Sequence, residues 1–403
     1  MDIEVRPIRD EEFGQLVTVD ARTFGITYSD TDADDLHGWL ELDRMLVGVD
    51  GADIVATAGA WTFELTVPGG AYVPTAGVTW VGVTASHRRR GILRSLMARL
   101  HDHIAERGEP VAALTASESG IYGRFGYGVA TRRARLVVAS TLVRLRGGIG
   151  DDGAVRYVDA GTARKVLPAI YDRARAQQPG TLSRNDRWWD YMLLDRESNR
   201  GGASALFFVV HPDGYAMYRA RNAWSKGFPN GEIVLLELMT ASFEAYAALW
   251  RFLLDVDLVE RISTSRSSPD EILPWLVDDP RRVQTEALWD DAWVRVLDVP
   301  AALSARRYLT EDRLVVEVVD PSRPATSGRY EVDGGPSGAT SRRTTVEPDL
   351  VMDISALGSL YLGGVPATTL GRARLIEECT TGALRRADAF FASDPPAHNQ
   401  TGF

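Results

Sequence analysis

The segment HRRRGILRSLM, from His87 to Met97, places four arginines within eight positions of a 403-residue chain whose formal net charge is −10. The strand-like sequence WVGVT, Trp80 to Thr84, precedes it, and from Gly91 onward apolar residues recur at helical spacing. A helix N-terminus presents unpaired N–H groups and a positive dipole end, and arginines add donors that suit phosphate oxygens. The segment therefore predicts a polyphosphate site, although a basic helix start is by itself more often only a solvated surface.

The helix and its neighbouring strands follow from spacing and from the residues that end helices. Six apolar positions between Gly91 and Arg107 share one helical face, and Gly108 and Pro110 end the helix. They are Ile92, Leu93, Leu96, Met97, Leu100 and Ile104. The apolar sequence VAALTA at 111–116 predicts a strand directly after the helix. Upstream, RMLVGVD, ADIVATAGAWTFELTV and AYVPTAGVTWVGVT predict a meander of three strands.

Length and composition limit the class of protein. A chain of 403 residues is long enough for about two to four domains. Apolar residues make up 45% of it and charged residues 25%, with ten tryptophans, which is typical of a globular protein with large cores. The acidic net charge argues against general nucleic-acid binding and mildly suits a cationic small substrate, although by charge alone acidity that only keeps a protein soluble is the more common case. No run of about 18 apolar residues occurs, so no membrane span is predicted.

The cysteine and histidine positions argue against several kinds of site. Cys379 is the only cysteine, so an internal disulfide and a cysteine-based zinc site are excluded. His101 and His103 are two residues apart on the predicted helix, and no H-E-x-x-H pattern occurs, so no metal site is predicted. The first residues, MDIEVRPIRD, lack the basic and apolar segments of a signal peptide, which predicts a cytoplasmic protein.

The middle of the chain predicts a linker and then a second copy of the first pattern. Arg146 to Val158 is rich in turn residues, and Gly148, Gly150 and Gly153 satisfy G-x-G-x-x-G. A dinucleotide fingerprint must open a helix, whereas the strand-like AVRYVDA follows here, so a linker is favoured. Further on, EIVLLELMTASFEAYAALWRFLLDVDLVERISTS repeats the order strand, amphipathic helix, strand, but with TASFEA in place of the arginines. This second copy is therefore predicted to lack an anion site.

The last part of the chain predicts a small α+β unit. WVRVLDVPAALSARRY, LVVEVVD and GRYEVDG are followed by a predicted helix from about Thr368 to Phe391. The tail SDPPAHNQTGF has no regular pattern.

Several longer strings resemble one family of enzymes. The stretches PTAGVTWVGVTASHRRRGILRSLM, VAALTASESGIYGRFGYG, HPDGYAMYR, VPAAL and GSLYLGG are similar to the enhanced intracellular survival (Eis) family of GNAT N-acetyltransferases. In the GNAT signature Arg/Gln-x-x-Gly-x-Gly/Ala, Arg88 and Gly91 match, whereas Leu93 departs at the last position. The resemblance implies an α/β fold with mixed sheets. Its two fused GNAT-like domains would span 1–146 and 147–290, and a sterol-carrier-protein-like domain would span 291–403.

The resemblance implies acetyl-CoA as co-substrate, bound by the first domain alone. The backbone of Val81, Gly82 and Val83 would lie along the pantetheine arm. The segment of Arg89, Arg90, Gly91, Ile92, Leu93 and Arg94 would hold the pyrophosphate. Ser117 and Glu118 would complete the cofactor site. No metal is implied, and the resemblance implies a homohexamer.

Acetyl transfer to an amine needs a base for the amine and an acid for the departing thiolate. A tyrosine pKa of about 10 is close enough to a thiol pKa of about 8.5 for proton donation. ESGIYGRFGYG offers Tyr122 and Tyr127, and the residues alone do not choose between them. The resemblance selects Tyr122 as the acid and the α-carboxylate of the last residue, Phe403, as the base.

The acceptor is less defined by the sequence. The resemblance places Phe24, Trp39, Trp80 and Asp290 in an acceptor pocket, which suits aminoglycoside-like or lysine-like amines through cation–π and charge contacts. Gly402 departs where an acidic residue can occur in the family, which leaves the substrate preference open. The alternative is a protein that senses acyl-CoA or binds an apolar ligand with little or no catalysis, motivated by the departure at Leu93 and by the sterol-carrier-like region.

Overall fold

The computed structural model describes residues 3–147, 149 and 154–403, which form two compact units. The first unit comprises the chain up to Thr131, Ala292–Asp394 and Gly402–Phe403. The second unit comprises Arg132–Asp291 and Pro395–Thr401. In the described part of the chain, no helix is both long and apolar enough to cross a membrane.

The first 131 residues form six strands and three α-helices among the described residues. The strands are β1 (Glu4–Pro7), β2 (Leu46–Asp50), β3 (Asp53–Thr66), β4 (Tyr72–Val83), β5 (Val111–Thr115) and β6 (Gly128–Val129). The helices are α1 (Phe13–Phe24), α2 (Asp30–Trp39) and α3 (Ile92–Glu106). β2, β3 and β4 form the predicted antiparallel meander. The periodicity that predicted a helix over 91–107 corresponds to α3, and its apolar face packs into the core around Leu96, Met97 and Leu100.

Residues 132–291 form the next set of elements. The strands are β7 (Arg132–Val138), β8 (Arg156–Val158), β9 (Phe207–His211), β10 (Gly214–Arg221), β11 (Trp224–Ser225), β12 (Phe228–Pro229), β13 (Gly231–Thr240), β14 (Val259–Thr264) and β15 (Val283–Asp290). The helices are α4 (Ala160–Arg175), α5 (Asp186–Met192), α6 (Phe243–Leu254) and α7 (Leu273–Leu276). Gly148, Gly150 and Gly153, which carry the G-x-G-x-x-G pattern, lie outside the described residues.

The remaining elements follow Asp291. The strands are β16 (Ala292–Val296), β17 (Asp312–Val319), β18 (Gly328–Gly335), β19 (Gly338–Arg343), β20 (Leu350–Asp353) and β21 (Ile376–Glu378). The helices are α8 (Val299–Ala305), α9 (Ile354–Leu360), α10 (Ala367–Arg372) and α11 (Ala383–Phe391). The single closing helix expected from Thr368 to Phe391 is wrong. Arg374 and Gly382 adopt positive φ values of 60° and 87°, and β21 between them pairs with β20, so sheet pairing overrides the helical pattern.

The two large sheets have the same topology. The first has the strand order β1-β2-β3-β4-β5-β16-β6, and the second, read in the matching direction, has the order β8-β9-β10-β13-β14-β7-β15. In both sheets the fourth and fifth strands are parallel, and the other neighbours are antiparallel. The repeat expected from the sequence is therefore a repeat of the whole sheet.

Each of the two large sheets includes one strand that comes from a different part of the sequence than its other strands. β7 directly follows β6 in the sequence but is the sixth strand of the second sheet, between β14 and β15. β16 directly follows β15 but is the sixth strand of the first sheet, between β5 and β6. The domain boundaries predicted from the sequence, 146/147 and 290/291, follow chain order. They place β7 in the first domain and β16 in the third, although β7 belongs to the second sheet and β16 to the first.

The third sheet has the order β19-β18-β17-β20-β21 and packs against helices whose apolar side chains fill its core. Arg306 is fully buried there and donates hydrogen bonds to the carbonyl oxygens of Tyr361 and Phe391, the second at 2.8 Å. Its guanidinium also lies over the rings of Tyr308 and Phe391, 4.6 and 5.1 Å from their centroids. A cation therefore satisfies the ends of α9 and α11 inside a core filled by aromatic rings.

A second buried cation lies in the first unit. Arg44 pairs with Glu109 at 2.5 Å, their side chains are 1% and 6% exposed, and Arg44 also donates to Thr62 Oγ1 at 2.6 Å. A buried ion pair contributes little net stability, but removing one partner leaves an uncompensated charge. Arg107 and Asp43 form a comparison pair at the surface, 3.7 Å apart, with Asp43 72% exposed.

Glu109→Ala is expected to lower the free energy of unfolding by about 3–5 kcal/mol, because Arg44 is then buried without its carboxylate. Asp43→Ala, which removes the exposed pair, is expected to change it by less than about 1 kcal/mol. Urea denaturation followed by circular dichroism measures both. Equal shifts in the two variants would contradict the assignment of Arg44 and Glu109 as a buried pair.

Candidate active site

The first sheet opens into a fork between its two parallel strands. β4 and β5 pair only over Thr75–Gly77 and Val111–Ala113, although β4 continues to Val83 and β5 continues to Thr115. Beyond those pairs the strands separate, so the edge of β4 that faces β5 has no strand partner there. Unpaired backbone N–H and C=O groups need other hydrogen-bonding partners. The fork is therefore suited to an extended ligand that carries amide groups.

A β-bulge shapes the open part of β4. The register passes from Gly59↔Thr79 to Thr57↔Gly82, so β4 has one extra residue at this point. Trp80 lies in the bulge with φ 53°, and its carbonyl oxygen accepts a hydrogen bond from Thr57 Oγ1 at 2.8 Å. The residues that follow, Val81, Gly82 and Val83, form the free edge predicted for the pantetheine arm.

The arginine-rich turn leads into the N-terminus of α3. Gly91 is the N-cap residue with φ 81°, and no side chain caps the first turn of the helix, which starts at Ile92. A β-carbon at Gly91 would meet no atom within 4 Å, so the left-handed backbone, and not lack of space, requires glycine here. The uncapped N–H groups of Ile92, Leu93 and Arg94 leave the helix start available to an anion.

The arginines of this turn differ in their partners. Asp50 lies 3.2 Å from His87 Nε2 and 3.6 Å from Arg90 Nη1, so Arg90 is already near a carboxylate. Arg89 and Arg94 are exposed and have no ion-pair partner among the described residues. Arg89 adopts φ 64°, an unusual backbone conformation for a non-glycine residue. Arg88 also lacks an ion pair but donates from Nε to the carbonyl oxygen of Val83 at 3.5 Å, so Arg89 and Arg94 are the arginines of this turn with neither kind of partner among the described residues.

On the other side of the fork, β5 leads into a turn that carries the remaining predicted residues. Ser117 and Glu118 are exposed and lie just after the end of β5, and the carbonyl oxygen of Glu118 accepts from the Ile121 N–H at 3.2 Å. The carbonyl oxygen of Tyr122 accepts from the N–H groups of Phe125 and Tyr127, at 3.0 and 3.3 Å. We refer to residues 122–127 as the tyrosine turn.

The two tyrosines of this turn have different environments. Tyr127 is fully buried, and its hydroxyl lies 3.0 Å from Nε2 of His101, whose pKa is lowered well below its usual value by burial and by Arg295. Tyr122 is buried to 6% exposure, but its hydroxyl has no hydrogen-bond partner among the described residues. Burial, with a smaller contribution from Glu118, raises the pKa of Tyr122 to about 12. Tyr122 therefore holds a proton at neutral pH and has a hydroxyl free for another partner.

The end of the chain lies in the fork. Thr115 Oγ1, at the end of β5, donates a hydrogen bond to the terminal oxygen of Phe403 at 2.6 Å. The Phe403 ring packs edge-on against Phe63 of β3, with centroids 5.2 Å apart. A β-carbon at Gly77 would overlap Phe63 and lie 3.2 Å from the Phe403 ring, so Gly77 leaves room for both rings. Thr115 was not singled out from the sequence, since nothing local marks it.

Three of the four predicted acceptor residues lie in the first unit. Phe24 ends α1 and is 44% exposed, and Trp39 ends α2 with its ring 4.4 Å from that of Trp61. Trp80 is stacked parallel to Tyr28 at 6.4 Å. Asp290 ends β15 in the second unit.

Sequence reasoning missed Tyr28 and Asp20. The hydroxyl of Tyr28 donates to Asp20 at 2.7 Å, and burial raises the pKa of Asp20. The ring stacked on Trp80 is thereby fixed to α1. The eight-residue spacing across a loop gives no sequence signal for this pair.

Comparisons with known proteins match nearly the whole chain. Two acetyltransferase (GNAT) domain families match residues 4–130 and 180–296, and a sterol carrier protein domain family matches 299–399. The N-acetyltransferase Eis of Mycobacterium tuberculosis is 41% identical, covering 88% of this chain and 86% of its own. An N-acetyltransferase of Streptomyces avermitilis is 40% identical over 98% of both chains. The crystal structure of Eis1 from Mycobacterium abscessus is 37% identical with a TM-score of 0.91, covering 99% of this chain and 100% of that one.

The chain belongs to the Eis family of GNAT N-acetyltransferases. The expected family is confirmed, and so is the fold class: two GNAT domains followed by a sterol-carrier-protein-like domain, with mixed α/β sheets. As an Eis-family protein it is an N-acetyltransferase.

The second GNAT domain of this Eis-family chain has a similar fork, but the helix that follows its open strand has a capped N-terminus. Ser242 caps α6, and its hydroxyl accepts from the Ala245 N–H, whereas α3 of the first domain has no such cap. β13 runs past its last pair with β14, and the side-chain amide of Gln400 donates to Leu238 O at 2.8 Å on that open part. A cavity of about 270 Å³ remains there, lined in part by Pro395, Pro396, His398 and Gln400. The chain's own residues thus occupy part of the second fork.

Potential metal ligands are not grouped in the described part of this Eis-family protein. No cluster of three or more histidine, cysteine, aspartate or glutamate side chains fit for a metal occurs within residues 3–147, 149 and 154–403. His101, one of the two helix histidines, instead pairs with Tyr127.

Proposed function

We propose that this Eis-family enzyme transfers the acetyl group of acetyl-CoA to a primary amine of a cationic acceptor in the fork of the first sheet. The observation that carries the proposal is the terminal oxygen of Phe403, hydrogen-bonded to Thr115 between the diverging strands. A chain terminus fixed there puts a carboxylate at the point where the first GNAT domain leaves its backbone unpaired. The fork, the uncapped helix and the tyrosine turn then each have a role.

The residues of the fork fit coenzyme A. The free edge at Val81, Gly82 and Val83 suits the amides of a pantetheine arm. The N-terminus of α3 with Arg89 and Arg94 suits the pyrophosphate. Arg90 is less available to it, because its guanidinium lies 3.6 Å from the Asp50 carboxylate. Ser117 and Glu118 border the same fork after β5. Bound acetyl-CoA would supply the acetyl thioester and a thiolate leaving group.

The Phe403 carboxylate accepts a proton from the acceptor ammonium, directly or through a water molecule, so that the neutral amine can attack. The hydrogen bond from Thr115 and the packing of the ring on Phe63 fix the carboxylate, and such pre-organisation compensates for a weak base. As the C–N bond forms and the C–S bond breaks, the Tyr122 hydroxyl donates its proton to the departing sulfur, and the second proton that the attacking nitrogen loses passes through water to the Tyr122 phenolate. No covalent enzyme intermediate is needed, and Cys379 is not required.

The acceptor would bind against aromatic faces. Phe24, Trp39 and Trp80 of the first unit offer faces that attract a cation. Aminoglycoside-like and lysine-like amines are the acceptor classes that this chemistry favours. Gly402, where an acidic residue can occur in the family, leaves the preference between these acceptor classes open.

The organisation of the chain supports one cofactor site for each chain. We assign 1–146 to the catalytic GNAT domain, 147–290 to a GNAT domain without a cofactor site, and 291–403 to the domain that supplies the terminal base. The cap at Ser242 supports the assignment of the second domain, because its hydroxyl occupies the helix start and uses the Ala245 N–H, one of the donors that would bind an anion. A homohexamer and a cytoplasmic location remain part of the proposal.

An amine panel tests the proposed function. Untagged protein is incubated with acetyl-CoA and with aminoglycosides, polyamines, lysine peptides and neutral amines, and mass spectrometry detects acetylated products while a thiol reagent measures released CoA. We expect acetylation of cationic primary amines. Binding of acetyl-CoA with no product from any amine would support the acyl-CoA sensor instead.

Arg89→Ala and Arg94→Ala are each expected to raise KM for acetyl-CoA about tenfold or more, since a hydrogen bond to a charged group contributes about 1.5–3 kcal/mol. The value of kcat at saturating acetyl-CoA should change little. Arg99→Ala, which removes an exposed arginine of the same helix beside Glu106, serves as the matched control. An unchanged KM in both Arg89 and Arg94 variants would contradict the pyrophosphate site.

A further inference from the structure

The tyrosine turn is held by a buried ion pair from a distant part of the chain. Arg295 of β16 donates from Nη1 to the carbonyl oxygen of Phe125 at 2.5 Å and from Nη2 to Asp320 Oδ2 at 2.7 Å. Both side chains of the ion pair have 0% exposure. Arg295 therefore connects the turn that carries Tyr122 to Asp320, which directly follows β17 in the sterol-carrier-like domain.

Asp320 is itself fixed by the loop around it. Its Oδ1 accepts hydrogen bonds from the N–H groups of Ser322 and Arg323, at 3.1 and 3.0 Å, and from Ser322 Oγ at 2.7 Å. One carboxylate oxygen of Asp320 therefore accepts hydrogen bonds from its own loop, and the other accepts a hydrogen bond from Arg295. Because the Asp320 side chain is fixed in this way, it holds the Arg295 guanidinium in one orientation.

Inside the turn, the peptide of Phe125 connects Arg295 to Tyr122. Its N–H donates to the carbonyl oxygen of Tyr122 at 3.0 Å, while its carbonyl oxygen accepts from Arg295. Gly126 follows with φ 83°, and a β-carbon there would overlap the guanidinium of Arg295. The turn therefore depends on a close approach of the guanidinium to its backbone.

The energetics favour a role in geometry over one in stability. A fully buried ion pair is often no more stabilising than apolar residues of the same size. Here the guanidinium divides its donors between a carboxylate and a backbone carbonyl, which an apolar pair could not do. What the pair supplies is the position of the peptide of Phe125.

We propose that Arg295 and Asp320 are positioning residues that hold the tyrosine turn so that the Tyr122 hydroxyl reaches the leaving sulfur. The inference rests on the proposed role of Tyr122 as the acid. The sterol-carrier-like domain then contributes to both proton transfers: its end supplies the terminal carboxylate, and Asp320 fixes the turn of the acid.

Arg295→Lys is the primary variant, because a lysine keeps the charge opposite Asp320 but replaces the planar fork, which uses two nitrogens for its two partners, with a single nitrogen that cannot hold both in the same geometry. Arg295→Met combined with Asp320→Asn is the second variant, because it removes both charges together and so avoids an unpaired buried ion. Arg44→Lys is the matched control: it makes the same change in the buried pair with Glu109, away from the turn. Each is also made in the Tyr122→Phe background. For each protein, kcat, KM for acetyl-CoA and the thermal midpoint are measured.

We expect Arg295→Lys and the double variant to lower kcat about tenfold or more, with KM for acetyl-CoA changed less than about twofold. In the Tyr122→Phe background the same changes should have little further effect, because the residue through which they act is gone. Arg44→Lys should leave kcat unchanged. Losses that multiply in the Tyr122→Phe background, or a kcat loss equal to that of Arg44→Lys, would overturn the inference while leaving the acid role intact. A Tyr122→Phe enzyme with normal kcat would overturn the proposed acid itself.

Discussion

Adding one glycine after Phe403 is expected to lower kcat by about a hundredfold or more, because general base catalysis contributes about 10²–10⁴-fold. The hydrogen bond from Thr115 and the contact with Phe63 fix the present end of the chain. With one more residue, the oxygen at that position becomes a peptide carbonyl, which cannot accept a proton at neutral pH. The new carboxylate is displaced by one residue.

The control is a single glycine added at the amino terminus. This change should leave kcat within about twofold, and both proteins should bind acetyl-CoA with unchanged affinity, since the α3 site is untouched. Thiol release from acetyl-CoA in the presence of the best amine measures the rates, and titration calorimetry measures the affinity. Equal rates in the two extended proteins would contradict a catalytic terminus.

Tyr122→Phe is expected to lower kcat by about a hundredfold while leaving KM for acetyl-CoA nearly unchanged, since the variant loses only the proton donor. Tyr127→Phe is the comparison. Its hydroxyl pairs with His101, so the expected effect is on stability, about 1–3 kcal/mol in the free energy of unfolding, with a much smaller loss of kcat. Steady-state kinetics and urea denaturation separate the two. A larger kcat loss in Tyr127→Phe would make Tyr127 the acid.

The pH profile tests the same assignment. Burial raises the pKa of Tyr122 to about 12, so the hydroxyl keeps its proton across the working range. We therefore expect no fall in kcat from loss of the Tyr122 proton up to about pH 10. A kcat that falls through an apparent pKa near 9, in wild type but not in Tyr122→Phe, would contradict the buried environment.

The sequence predicts what depends on local pattern. Apolar spacing and Gly91 give α3, its N-terminus and the strands on each side, and the repeated strand–helix–strand order gives the second GNAT domain. Both follow from short-range physical chemistry, namely side-chain periodicity and a glycine with positive φ. The family resemblance adds the role of each part.

What the sequence cannot predict depends on residues distant in the chain. Tyr122 and Tyr127 look alike within ESGIYGRFGYG, whereas in the fold Tyr127 is paired with His101 of α3 and Tyr122 is not. Arg295 and Asp320 give no local signal, because their link to the tyrosine turn exists only once β16 has joined the first sheet. The exchange of β7 and β16 between the two large sheets also gives no sequence signal, because each strand directly follows, in the chain, a strand of the other sheet.

The most direct test of the terminal base removes its charge without changing its length or ring. A peptide ligated to the recombinant chain gives a protein that ends in Phe403 amide, and the same ligation with the free acid gives the matched control. We expect the amide protein to bind acetyl-CoA as the acid does and to acetylate the best amine about a hundredfold more slowly or less. Equal acetylation rates for the acid and the amide would show that the Phe403 carboxylate is not the base.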